Sequence, residues 1–230
     1  MDFIGGEILL FNKPYEWTSF DLVNKVRILI RRNLDIKKIK VGHAGTLDPL
    51  ATGLMIVCTG KSTKKIELLS GLDKEYIATL HLGATTPTYD LESSIDREYP
   101  IDHITTELLH GTLQQFKGPI EQIPPIFSAI KVQGKKAYEL ARKGHDIELK
   151  SRKIVIKELD VIDFNPPKLT LRILCSKGTY IRSLAHDIGK SLNSGAHLTG
   201  LKRTQIGNYS LNNAVELDFF EKKLNESATN

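Results

Sequence analysis

Apolar residues fall into continuous, alternating and helically spaced runs along this chain, and those runs lay out its elements. Glu7 to Phe11 reads as a short buried strand that Pro14 stops. Thr18 and Ser19 open a helix, with Asp21 three residues after Thr18 completing a capping box. The apolar face of that helix is Leu22, Val23, Val26 and Ile30, and Arg31 and Arg32 close it where cations suit the dipole. Leu54 to Cys58 is continuously apolar, the pattern of a central strand, and a short helix from Gly60 ends near Leu69. Tyr76, Ala78, Leu80 and Leu82 alternate along one strand face, and the threonine-rich stretch Gly83 to Asp90 reads as an exposed loop.

The second half continues irregularly. A helix over Thr105 to Phe116 precedes Ile123-Pro124-Pro125, which is extended because proline restricts the residue before it. Phe127 to Val132 reads as a strand, Gly134 as a turn, and Ala137 to Lys143 as a short helix closed by Gly144. Lys153 to Phe164 and Leu169 to Ser176 form a strand pair hinged at Asn165-Pro166-Pro167. A helix over Ile181 to Leu192 and a basic strand from Leu201 to Tyr209 follow. Hairpins outnumber βαβ units, so the expected class is α+β around a mixed sheet, with one domain over residues 1–222 and a disordered tail over 223–230.

Composition narrows the function classes. Hydrophobic residues make up 40% and charged residues 26% of 230, an ordinary balance that supports a sizeable core. The net charge of +5 favours a polyanionic partner. Two cysteines, Cys58 and Cys175, sit inside apolar runs, which excludes a disulfide framework and a four-cysteine zinc site. Neither a basic–apolar leader nor a run of membrane-spanning length is visible, so the expected setting is cytoplasmic, with no membrane contact and a monomer as the default.

The chemistry concentrates in Gly42-His43-Ala44-Gly45-Thr46-Leu47-Asp48-Pro49-Leu50-Ala51-Thr52-Gly53. Glycines allow a sharp turn or close backbone approach, and a carboxylate on a loop ahead of a buried strand is well placed for catalysis. Read alone, Asp48 also fits an aspartate that merely opens a turn, since Asp-Pro is common there.

The complete segment resembles the catalytic signature of the TruB family of tRNA pseudouridine synthases. The resemblance continues through Asn12-Lys13-Pro14 with Thr18-Ser19, and through Lys74-Glu75-Tyr76 with the threonine loop to Asp90. Ile123 to Lys131 with Tyr138 to Arg142 match a further block, as do Cys175 to Leu184, Gly195 to Leu198 and Leu201 to Thr204. It implies the pseudouridine synthase fold, a central mixed and mostly antiparallel sheet flanked by helices and loops, with residues 1–222 as the catalytic domain. The implied reaction isomerises uridine 55 in the T loop of tRNA on a flipped-out nucleotide, with no metal or organic cofactor. Asp48 would act as nucleophile or as base on the sugar, Tyr76 would stack on the target base, and Arg182 would keep Asp48 ionised and aimed. His43 and Leu201 would line the substrate site, and Lys13, Lys131, Lys202 and Arg203 would contact the RNA, with Lys61, Lys64, Lys65, Lys135, Lys136, Arg142 and Lys143 as further basic positions.

The chain departs from the family pattern at Glu16, where glycine is usual, and at Pro87, Tyr89 and Ser93 in the threonine loop, although Asp90 is kept. Many relatives carry a small C-terminal domain resembling the PUA fold, for which this sequence leaves no room, so the catalytic domain is expected to hold tRNA alone. Three rivals remain at this point: a catalytically silent RNA-binding protein, a hydrolase using Asp48 and Asp90 as a carboxylate pair, and a guide-RNA-dependent relative acting within a larger particle.

Overall fold

A computed structural model describes residues 1–128, 130–132, 134–137 and 149–228. In chain order the main elements are β1 (Ile8–Lys13), α1 (Ser19–Asn33), β2 (Val41–His43), β3 (Ala51–Thr59), a 3-10 turn (Gly60–Lys65) and α2 (Ile66–Ser70). There follow β4 (Lys74–Leu82), β5 (Ala84–Thr85), β6 (Arg97–Glu98), α3 (Thr106–Gln114), β7 (Gly118–Gln122), β8 (Lys131–Val132) and β9 (Lys135–Lys136). The last are β10 (Arg152–Asn165), β11 (Lys168–Cys175), α4 (Ile181–Ser191), β12 (Ala196–Ile206), β13 (Tyr209–Ser210) and α5 (Leu217–Ala228). Two compact units result: Met1–Tyr76 with Leu201–Asn230, and Ile77–Gly200. The chain passes from the first to the second within β4 and returns within β12.

The first unit is built on β3, buried along nearly its whole length as its continuous apolar run requires. β1 pairs antiparallel with it, from Ile8 opposite Cys58 to Lys13 opposite Gly53. β2 adds antiparallel, and Leu201 to Arg203 of β12 run parallel to Ala51 to Gly53, so the sheet is mixed. The expected capping box starts α1: the Thr18 hydroxyl accepts from the Asp21 N–H, and the Asp21 carboxylate accepts from the Thr18 N–H. Its buried face, Leu22, Val23, Val26, Leu29 and Ile30, packs with Met55 and Val57 of β3.

The same cluster corrects the expected tail. Residues 217–228 form α5 rather than dissolving after residue 222, because Leu217, Phe220 and Leu224 recur at helical spacing and bury one face. Phe220 meets Phe11 and Phe3 edge-on, with ring centroids 5.1 and 6.2 Å apart.

The second unit carries strand order β4-β11-β10-β7, with β10 antiparallel to both of its neighbours. The expected strand pair around Asn165 to Pro167 is therefore present. Ile154, Ile156, Leu171, Ile173, Leu184 and Ile188 are among its buried side chains. Three expectations change here. The stretch Gly83 to Asp90 is not exposed: Thr85, Thr86, Thr88 and Asp90 are all buried, the Thr86 and Thr88 hydroxyls donating to the Asp90 carbonyl and that of Thr85 to the Asp96 carboxylate. Among the described residues of Phe127 to Val132, only β8 is strand, where Lys131 pairs Lys136. The last long strand begins at Ala196, five residues before its basic segment. The expected helix from Ala137 to Lys143 lies, beyond Ala137, outside the described residues.

No described helix is long and apolar enough to cross a membrane. Cys58 and Cys175 are both buried and neither forms a disulfide, as their apolar runs imply.

Candidate active site

Asp48 occupies the irregular stretch between β2 and β3, half-buried, and the flanking backbone is tied down on both sides. Ser19, the first residue of α1, holds Leu47 twice: its hydroxyl accepts from the Leu47 N–H at 2.8 Å and donates to the Leu47 carbonyl at 3.0 Å. Ala44 N–H donates to the Ile56 carbonyl, and Ala51 N–H donates to the Asp48 carbonyl at 3.1 Å. The aspartate thus projects from a loop whose neighbours are fixed to a helix start and to the central strand. In the sequence Ser19 reads as a helix start and as part of the Thr18-Ser19 match; its tie to Leu47 depends on a contact 28 residues away.

Two buried cations frame this loop. In the sheet register Gly53 lies opposite Lys13 of β1 on one side and Arg203 of β12 on the other. Arg203 is 1% exposed. Its guanidinium donates to the carbonyls of Leu54 at 2.7 Å, Gly45 at 3.1 Å and Thr46 at 3.4 Å. Lys13 is fully buried and donates to the carbonyls of Pro14, Trp17 and Pro49, the last at 3.2 Å. Burial pushes the Lys13 ammonium down to about 8 from 10.5, with the Asp48 carboxylate opposing and Arg203 adding to the fall. The Asp48 carboxylate is therefore close enough to Lys13 to act on its ammonium.

This placement corrects two sequence expectations. Lys13 and Arg203 were both expected to contact RNA, yet both are buried with their donors spent on the chain's own carbonyls. A planar fork with several donors suits that task, since it reaches three backbone acceptors at once. Gly53 has to be glycine here: its φ is +104°, and a Cβ would stand 2.3 Å from the Arg203 carbonyl oxygen.

The remaining first-unit residues stand as follows. His43 ends β2 and is half-buried; its Nδ1 is buried and has no hydrogen-bond partner among the described residues. Burial, then the Arg203 charge, pull its pKa below the ordinary value, so the ring is neutral at pH 7. Tyr76 is buried on the inward face of β4, which alternates without a break from Lys74 to Leu82. Leu201 is half-buried and Lys202 exposed, on the strand that also carries Arg203. Glu16 adopts φ +64°, so the residue standing at the family's glycine position does take a left-handed conformation.

In the second unit Arg182 sits in the first turn of α4, 5% exposed. Its Nε lies 3.5 Å from the Asp90 carboxylate, which is itself 4% exposed. Nη1 and Nη2 donate to the carbonyls of Thr88 and Phe127, each at 3.1 Å. The helix start is held further by Gln122, whose side chain both donates to and accepts from the Tyr180 backbone. Arg182 is thus a positioned cation rather than a solvated one. Asp90 is paired with this arginine.

A basic groove of about 370 Å³ lies elsewhere on the first unit. Ile4, Ile36 and Ile39 line it together with the exposed lysines Lys38, Lys40, Lys61 and Lys64. Lys131 falls in β8, and Arg142 and Lys143 lie outside the described residues. Among the described residues no group of three His, Cys, Asp or Glu side chains is placed to hold a metal ion.

Comparison with known proteins bears on this arrangement. Residues 31–181 match the family model for the N-terminal domain of the TruB family pseudouridylate synthases, and residues 182–229 match that of the tRNA pseudouridylate synthase B C-terminal domain. A tRNA pseudouridine synthase B of Phocaeicola vulgatus is 59% identical over 226 residues, covering 98% of this chain and 96% of the relative. Its counterpart in Parabacteroides distasonis is 61% identical over 223 residues, covering 96% and 95%. That of Chlorobium luteolum is 45% identical over 214 residues, 93% of this chain but 73% of the longer relative. Among solved structures, a chain of a Cbf5-Nop10-Gar1 complex superposes with a TM-score of 0.70 at 26% identity. That likeness covers 96% of this chain and 54% of the other, so this chain spans about half its length.

Proposed function

The chain belongs to the TruB family of pseudouridine synthases, and on that premise we propose that it isomerises uridine to pseudouridine in tRNA, at position 55 of the T loop. The observation that carries this reading is the Asp48 loop: a half-buried aspartate whose neighbouring backbone is tied to Ser19, Lys13 and Arg203 beside the central strand. Such a carboxylate is aimed before substrate arrives, so little reorganisation is needed during the reaction.

The chemistry breaks the bond between N1 of the base and C1′ of the sugar, turns the base, and joins C5 to C1′. N1 gains a proton and C5 loses its hydrogen, so the product is an isomer. Asp48 acts on the nucleotide, as nucleophile or as base on the sugar. Tyr76 stacks on the flipped base, and Arg182 supplies the positive charge of the site. His43, neutral, stacks within the RNA instead of moving protons. Leu201 supplies apolar surface, and Lys131 and Lys202 contact the RNA together with the lysines of the basic groove. Lys13 and Arg203 support the loop rather than the substrate. The enzyme works as a monomer in the cytoplasm, reading the T arm by its fold and its splayed bases.

A tRNA transcript labelled with tritium at uridine C5 tests this. Wild-type protein releases the label as the carbon–carbon bond replaces C5–H, whereas Asp48→Asn binds the transcript and releases none. Free uracil would instead reveal hydrolysis, and binding without release by wild type would reveal a silent RNA-binding protein.

A further inference from the structure

The threonine loop of the second unit departs from the family pattern at Tyr89, next to the retained Asp90. Tyr89 takes φ +63°, a left-handed conformation that a tyrosine adopts only when its surroundings hold it there. Two kinds of contact do so. Its backbone is fixed at both ends, the N–H donating to the Thr86 carbonyl at 3.1 Å and the carbonyl accepting from the Leu198 N–H at 2.9 Å. Its ring lies flat on His186, with centroids 4.1 Å apart and planes 19° from parallel.

His186 is four residues after Arg182 on α4, so both side chains leave the same face of the helix one turn apart. Tyr89 and Asp90 are adjacent in the loop. The loop therefore grips one helix face through two successive ties: Tyr89 on His186, and Asp90 on Arg182 at 3.5 Å. Asp90 is further fixed by its own loop. Its carbonyl accepts from the Thr86 hydroxyl at 2.7 Å, and its carboxylate accepts from the Glu92 N–H at 3.0 Å. Ser93, another departure, accepts from the Thr88 N–H and shares a 2.8 Å hydrogen bond with the Thr88 hydroxyl. The unusual residues of this loop are thus spent on its internal order and on α4.

We infer that the Tyr89–His186 stack is a clamp that sets the Asp90 carboxylate against Arg182, making Tyr89 and His186 positioning residues for the reaction. This rests on the role given above to Arg182. A flat aromatic pair resists sliding and tilting in a way an aliphatic contact does not, so it fixes the loop's angle on the helix. Nothing in the clamp needs to touch RNA.

The test uses single-turnover and steady-state kinetics of the full chain on a T-arm stem-loop RNA. Tyr89→Leu lowers kcat about tenfold, the upper range of what an aromatic pair contributes, and leaves KM within about twofold. Tyr89→Phe keeps the stack and restores kcat. His186→Leu removes the same stack from the helix side and reproduces the Tyr89→Leu pattern, which guards against a loop variant that simply misfolds. In an Arg182→Lys background, where the guanidinium to be aimed is gone, Tyr89→Leu costs less than about twofold more. Wild-type kcat in both stack-removing variants, or losses that multiply fully with Arg182→Lys, would overturn the clamp. Wild-type turnover by Arg182→Lys itself would overturn the role of Arg182, and the clamp with it.

Discussion

Arg203→Met separates two accounts of the most deeply placed arginine in the first unit. In wild type the guanidinium donates to the carbonyls of Leu54, Gly45 and Thr46. Thr46 is exposed, so its carbonyl can turn to water, but Leu54 is fully buried and Gly45 half-buried. A buried acceptor left unpaired costs about 1–3 kcal/mol, and here one is stranded fully and one in part. Methionine fills much of the space, so the expected loss is about 3 kcal/mol. For a chain of 230 residues each kcal/mol lowers Tm by about 2–4 °C, giving a fall of roughly 6–12 °C. Loosening the backbone three residues before Asp48 also lowers kcat, since about 1 Å of misplacement can cost on the order of 10²-fold. The assay is a thermal melt by circular dichroism beside turnover on a T-arm RNA, with exposed Lys202→Met as the comparison. Lys202→Met melts like wild type but weakens RNA binding and flattens its salt slope by about one. If Arg203→Met melted within about 2 °C of wild type and instead reduced the salt slope, the arginine would be an RNA contact and the reasoning would fail.

Three further outcomes follow from the same geometry. Gly53→Ala combines a forbidden φ of +104° with a Cβ 2.3 Å from the Arg203 carbonyl oxygen, so it should give little soluble protein; normal yield with wild-type melting would contradict the close approach. Phe220→Ala empties the edge-on contacts with Phe11 and Phe3 and should cost about 3–5 kcal/mol in denaturant unfolding; unchanged unfolding would contradict that packing. Burial raises Asp187 to about 6 from 3.8, with Lys190 partly opposing. Its contribution is therefore present at the unfolded pKa and below, and is lost as pH rises through about 6. Asp187→Asn should gain in Tm relative to wild type between pH 4 and pH 7, both read approximately; an equal difference at the two pH values would refute the assignment.

Local signals and long-range ones differ sharply in how far the sequence disclosed them. The capping box of α1 and the alternation of β4 use residues within one or two turns, and both stand as read. β2, three residues long, has no period to display and exists because it pairs with β3. α5 was hidden by its polar end, although Leu217, Phe220 and Leu224 already carried the helical spacing. In the site, the segment around Asp48 was recognisable from its residue pattern, as was Arg182. What stayed illegible was the use of charge: Lys13 and Arg203 look like any basic residues in a chain of net charge +5. Their burial follows from strand register, which places both beside a residue without a side chain. The threonine loop is illegible in the sequence for a related reason, because hydroxyls that satisfy their own backbone can be buried as readily as they are solvated.

The central claim is that Asp48 drives formation of pseudouridine at one uridine of the T loop. Incubating wild-type and Asp48→Asn protein with an unmodified T-arm stem-loop RNA, then mapping carbodiimide-dependent stops of reverse transcription, tests it most directly. A single stop at uridine 55 is expected with wild type, and none with Asp48→Asn at equal RNA occupancy. A stop that persists with Asp48→Asn, or no stop at that uridine with wild type, would contradict it.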